Sequence, residues 1–237
     1  MADAQVLQLY QGVSSRLIEL VRTDPAAGVP SCPEWCALDL LRHVCAVAED
    51  WAEGRLTGYG TRKWTDEGVK RLSDLELDQI ADLWRRAITQ MADLPYQVDM
   101  GDPVRFAFGA AAVHEADLRA VLAPETMLPQ DALTVATKGS FAVWRQHLTQ
   151  KNAPPLVVEL RNGPKLQIGE DPQVTLRISE YELFRMLNGR RSAAQITSYQ
   201  WSSDPEPYLD IGLGGPVTGG ARGRASWPKE SLVEPTF

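Results

Sequence analysis

What the sequence is short of narrows it first. Its apolar runs are brief: stretches such as Phe106 to Val113 fall far below the roughly 18 residues needed to cross a bilayer, so no membrane span is expected. The N-terminus, MADAQVLQLYQG, carries an early aspartate and no basic-then-apolar block, which argues against a secretory signal and for a cytoplasmic protein. Basic residues are outnumbered, 24 Lys and Arg against 31 Asp and Glu for a net charge of −7, and a nucleic-acid partner would be repelled. Cysteine is scarce and odd in number. Cys32, Cys36 and Cys45 cannot all pair within the chain, so reduced thiols are expected.

The remainder is ordinary globular composition, 44% hydrophobic and 23% charged over 237 residues, which at about 150 residues per domain fits one large domain or two small ones. The first part reads as helices. Val6, Leu7, Tyr10, Val13, Leu17, Leu20 and Val21 recur at helical spacing up to Arg22, before Pro25, Gly28 and Pro30 end the pattern. Leu40, Leu41, Val44, Val47 and Trp51 stripe a second helix from about Ala37 to Glu53. Gly54, Gly58 and Gly60 predict a loop that reaches Val69. Leu75, Ile80, Leu83, Trp84, Ile88 and Met91 mark a third helix closed by Pro95, with Ser73 as its expected N-cap and Glu76 as the capping-box partner. The fourth, about Val104 to Leu122, is alanine-rich and bracketed by Pro103 and Pro124. Four such amphipathic helices should bury their stripes against one another as a bundle.

Near Pro124 to Pro129 the pattern changes. A helix over 132–148 is followed by strand-like segments at Leu156 to Leu160, Lys165 to Ile168 and Val174 to Ile178, the first two joined by an Arg161-Asn162-Gly163-Pro164 turn. A short helix, Glu180 to Leu187, stops at Asn188-Gly189. The expected organisation is α+β: a helical bundle over 1–125, a small α+β domain over 126–211, and a Gly/Pro-rich tail over 212–237. The Gly-Gly-Ala-Arg-Gly-Arg run in that tail reads as tail composition rather than an RNA contact.

Three histidines occur, His43, His114 and His147, two of them inside bundle helices. A histidine there is either a hydrogen-bonded core residue or a metal ligand shared with a facing helix, and two alone do not define a site. The surrounding residues add specificity. Cys32-Pro33-Glu34-Trp35 followed by Asp39-Leu40-Leu41-Arg42-His43, then Val113-His114-Glu115-Ala116-Asp117, then Glu182-Leu183-Phe184-Arg185, Gly189-Arg190-Arg191-Ser192 and Trp201-Ser202-Ser203-Asp204-Pro205 together resemble the mycothiol-dependent maleylpyruvate isomerase family. Glu34 stands where that family usually has glycine.

The resemblance implies a DinB-like four-helix bundle followed by a small sterol-carrier-protein-like α+β domain. It implies an enzyme, a mycothiol-dependent isomerase or thiol transferase of actinobacterial type, acting on a small molecule at a divalent-metal site between the two domains. In the family, zinc or another divalent metal is held by a histidine on the second helix and an E-x-x-x-H pair on the fourth, an i, i+4 spacing that shares one helical face and leaves a position open for the thiol. His43 and His114 match the histidines. The glutamate position is Ala110, which cannot ligate. Glu115 points about 100° round the helix from His114, Asp117 at i+3 could share its face in what reads as a structural role, and Cys36, about 10 Å along the helix from His43, is too distant to chelate the same ion. Cys32 and Cys36 read as structural thiols, since no second cysteine pair completes a zinc site.

Arg190 and Arg191 are the expected substrate-side cations, able to meet a small carboxylate or simply to complement the C-terminal dipole of the preceding helix. Trp64 is the expected lining of a pocket mouth. A second reading stays open: a metal-depleted member repurposed to bind a small molecule, or to act on one in secondary metabolism without a metal.

Overall fold

The computed structural model describes residues 3–94, 102–209 and 234. Pro95 and, apart from Glu234, the segment 212–237 of the sequence expectations lie outside the described residues. The described chain divides into two compact units at Ala132–Leu133. No helix among the described residues is long and apolar enough to cross a membrane.

The first unit contains α1 (Ala4–Thr23), α2 (Ala37–Ala52), α3 (Arg62–Arg71), α4 (Leu77–Ala92) and α5 (Pro103–Leu122). The four long helices close a ring: α1 packs on α4 and α5, and α2 packs on the same two. Tyr10, Leu17, Leu40, Leu41, Ile80, Trp84 and Phe108 are among the side chains that fill its middle, each such aliphatic group contributing about 1.5–3 kcal/mol by leaving water. The α5 helix starts as its sequence dictates. Asp102 caps it by accepting from the Val104 and Arg105 amides, and Pro103 occupies the first turn, where its missing N–H costs nothing. Four of its alanines, Ala107, Ala111, Ala112 and Ala116, are buried and leave room for neighbouring helices to come close.

Two expectations for this unit are corrected. The glycine-marked segment is not loop throughout. Thr61 caps α3, whose only buried residues are Trp64 and Gly68, so the helix carries no apolar stripe for periodicity to reveal. It is supported instead by the i, i+4 pairs Arg62–Asp66 and Lys63–Glu67. The N-cap of α4 is Glu76 rather than Ser73, with the Glu76 amide donating to Gln79 Oε1 at 2.9 Å, because the chain first turns through Leu72 to Leu75.

The second unit is built from α6 (Gln130–Gln150), β1 (Leu156–Leu160), β2 (Lys165–Ile168), β3 (Val174–Ile178), α7 (Glu180–Leu187), α8 (Ala193–Thr197), β4 (Gln200–Trp201) and α9 (Glu206–Leu209). The sheet order is β2-β1-β3-β4, with β1 and β2 an antiparallel hairpin, β1 and β3 parallel, and β3 and β4 antiparallel. Alternation along β1 sends Leu156, Val158 and Leu160 into a core shared with Phe141, Trp144, Leu183 and Leu187. Gly189, at φ +72°, ends the α7 region in the left-handed conformation that a side chain would resist. The fold is the expected α+β.

Candidate metal centre in the bundle

The loop between α1 and α2 is where the sequence motif becomes geometry. Val29-Pro30-Ser31-Cys32 is one turn, closed by the Cys32 amide on the Val29 carbonyl at 2.8 Å. Cys32-Pro33-Glu34-Trp35 is the next, closed by the Trp35 amide on the Cys32 carbonyl at 2.9 Å. Each proline sits at the second position of its turn, where its fixed φ is already correct. Cys32 is thus the shared corner of two consecutive turns, and a Gly28–Cys36 bridge pins the base of the loop. Glu34, in place of the family's glycine, pairs with Arg62 of α3. Cys36 caps α2 and its thiol donates to Asp39 at 3.1 Å.

Trp35, at the end of the second turn, packs on the His43 ring with centroids 4.9 Å apart. His43 on α2 in turn meets His114 on α5 edge to face, centroids 5.2 Å apart at 89°. The pair brings together, from two helices, two side chains of a type that ligates divalent cations.

His114 is 7% exposed and Asp117 1%. The Nδ1 of His114 lies 3.0 Å from Asp117 Oδ2, and since an ionised carboxylate only accepts, Nδ1 carries the proton. Burial works against a charge on this imidazole, but the hydrogen bonds to Asp117 and Cys32, with the charges of both groups, outweigh it and raise its pKa above the ordinary histidine value. Ligand atoms of Cys32, His114 and Asp117 all lie within 4.8 Å of one another.

The sequence reads Cys32 as a structural thiol; the structure sets it beside His114 and Asp117. The motif naming Cys32 was visible, but its neighbours His114 and Asp117 lie on α5, and spacing carries no information about that approach. Glu115 is no substitute ligand. Fully buried, it takes a bidentate pair from Arg16 at 2.7 and 2.9 Å and further bonds from Arg119. Ala110 is half-buried on α5, one turn before His114.

The remaining expected residues stand elsewhere. Trp64 lies in α3 and not in a loop; its indole N–H donates to the Arg55 carbonyl at 3.0 Å and its ring packs on Tyr59, which meets Trp51. In the second unit, the buried Arg191 guanidinium forms two 2.7 Å bonds with Glu182, whose carboxylate also accepts from Tyr199 at 2.7 Å. Half-buried Arg190 donates to the Asn188 carbonyl at 2.8 Å. Both arginines thus take part in the local structure that follows α7.

Residues 11–128 match the mycothiol maleylpyruvate isomerase N-terminal domain. Through this bundle the chain belongs to that family. Among solved structures it is similar to a mycothiol-dependent maleylpyruvate isomerase, at 16% identity and a TM-score of 0.54, over 83% of this chain and 91% of that one. A histidine-to-alanine mutant described by the same name gives 14% identity, the same TM-score and the same coverage. At these identities the likeness is one of fold. No curated protein sequence matches the chain significantly.

Proposed function

We propose that this member of the maleylpyruvate isomerase family is a cytoplasmic enzyme, an isomerase or thiol transferase acting on a small molecule with a low-molecular-weight thiol as partner. The observation that carries the reading is the edge-to-face pair of His43 and His114, offered from adjacent helices at 5.2 Å. The two imidazoles would hold a divalent cation such as zinc. Such a cation supplies one thing, a lowered thiol pKa, so that mycothiol or a similar thiol is a thiolate nucleophile near neutral pH. The chain's own residues do the rest. Trp35 packs at a tilt on the His43 ring. Before an ion binds, Asp117 accepts the Nδ1 proton of His114 and holds that ring in place. Arg190 is the nearer of the two proposed substrate-side cations to solvent, since Arg191 is buried against Glu182.

Ala110 favours a second reading, in which the bundle has given up the metal and binds a small molecule, or acts on one in secondary metabolism, without it. Metal analysis of protein purified without chelators, followed by calorimetry with mycothiol, separates the two. The first predicts stoichiometric divalent metal and a heat of thiol binding that disappears in His114→Ala. If the protein carries no metal and gives no heat with added zinc, the second reading stands alone.

A further inference from the structure

We infer that this chain binds its metal through Cys32, His114 and Asp117, a thiolate–imidazole–carboxylate set that makes good the ligand missing at Ala110. The inference rests on the reading of the bundle as a metalloenzyme's and deepens it, keeping His114 as a donor and adding Cys32 and Asp117 beside it. Three observations carry it. The ligand atoms of these residues fall within 4.8 Å of one another, and the His114–Asp117 pair is at 3.0 Å. A tetrahedral ion with bonds of about 2.0–2.3 Å holds its ligand atoms about 3.3–3.8 Å apart, so small side-chain adjustments suffice. Two of the donors are buried on one well-anchored helix. The third is fixed by backbone rather than by rotamer alone, because Cys32 is the corner of two proline-led turns closed at 2.8 and 2.9 Å.

The main competing use of the same three residues is a nucleophilic triad in which the imidazole relays a proton between thiol and carboxylate. That arrangement needs the thiol and the carboxylate on opposite ring nitrogens, which separates them by about 8 Å. Here the sulfur and the carboxylate oxygen are within 4.8 Å, so the thiol stands on the side of the ring that Asp117 occupies. This compactness suits a shared ion.

Charge points the same way. A thiolate and a carboxylate together neutralise a divalent cation, which a largely buried position favours. Binding releases the Nδ1 proton of His114 and the proton of the Cys32 thiol to solvent, and the ion takes their place between the three groups. A thiolate with an imidazole selects zinc or cobalt over magnesium or calcium.

The test is a Co(II) titration of the full reduced chain. We expect one cobalt per chain with a thiolate-to-cobalt charge-transfer band. In Cys32→Ser the band should vanish and affinity should fall at least about a hundredfold, while Cys36→Ser, whose thiol bonds Asp39 outside the site, should keep the band. As a measurement that needs no variant, zinc should shield Cys32 from alkylation and leave Cys36 reactive, read residue by residue by mass spectrometry. If cobalt binds without the band and His43→Ala abolishes binding, the metalloenzyme reading survives on the two histidines and this inference falls. If neither cobalt nor zinc binds the wild-type chain, both fall together. Zinc that leaves Cys32 as reactive as Cys36 also overturns the assignment.

Discussion

Both units bury charge, but to different ends. In the second unit the buried guanidinium of Arg191 is answered by Glu182, and Tyr199 completes the carboxylate's bonds. In the bundle, Glu115 is answered as completely, by Arg16 and Arg119. Two residues further along α5 the pattern breaks: buried Asp117 faces an imidazole and a thiol, groups whose charge depends on a proton or an ion. Neutralised ion pairs hold a fold together, whereas a carboxylate set against titratable metal-ligating groups is equipped to exchange what it binds. The contrast lies within two residues of sequence, Glu115 and Asp117, which look interchangeable on paper.

The contrast can be broken most forcefully at Glu115. Glu115→Ala leaves two partly buried arginines without their shared carboxylate and should destabilise the bundle by about 3–5 kcal/mol in urea unfolding, while Asp117→Asn should cost far less in stability and act mainly on metal binding. In the second unit, Glu182→Gln should cost about 2 kcal/mol by removing a charged acceptor from Arg191. It also tests the pH dependence. Burial opposes the charge on Glu182, but the bonds from Arg191 and Tyr199 prevail and hold its carboxyl below the ordinary glutamate range. A carboxyl depressed in the folded state stabilises above its unfolded pKa, about 4.3, and loses that contribution as pH falls towards the folded value. Thermal unfolding should therefore show an acid-side loss in the wild type that is reduced in Glu182→Gln. The smallest effect is expected at Gly68 of α3, where an added Cβ would lie 3.0 Å from that of Ala46. Gly68→Ala gains up to about 1 kcal/mol of helix propensity and loses a similar amount to crowding, so the melting temperature should move by only a few degrees. A large drop would mean that α3 holds more of the bundle than its few buried residues suggest.

Much of the fold was legible because it is repetitive. The strands at Leu156–Leu160, Lys165–Ile168 and Val174–Ile178 and the helix at Glu180–Leu187 follow period-2 and period-3.6 patterns that survive into the structure. What escaped was structure without a buried stripe. The α3 helix owes its existence to a Thr61 cap and surface ion pairs, and β4 is two residues that become a strand only through β3. The candidate site divides in the same way. His43 and His114 could be named from motif residues that neighbour them in sequence. The approach of Cys32 to Asp117 could not, because it depends on how a double turn lies over α5, a matter of tertiary packing.

The sheet also bears on how this chain behaves while it folds. Among the described residues its edges are β2 and β4. The first exposes Lys165 and Gln167, with Lys165 drawn into an ion pair with Glu159, and the second offers only Gln200 and Trp201. A growing aggregate recruits new chains by adding strands to a free edge, and a charged edge on one side with a stub on the other gives it little backbone to template on. The small α+β unit is thus guarded against self-association at both margins of its sheet.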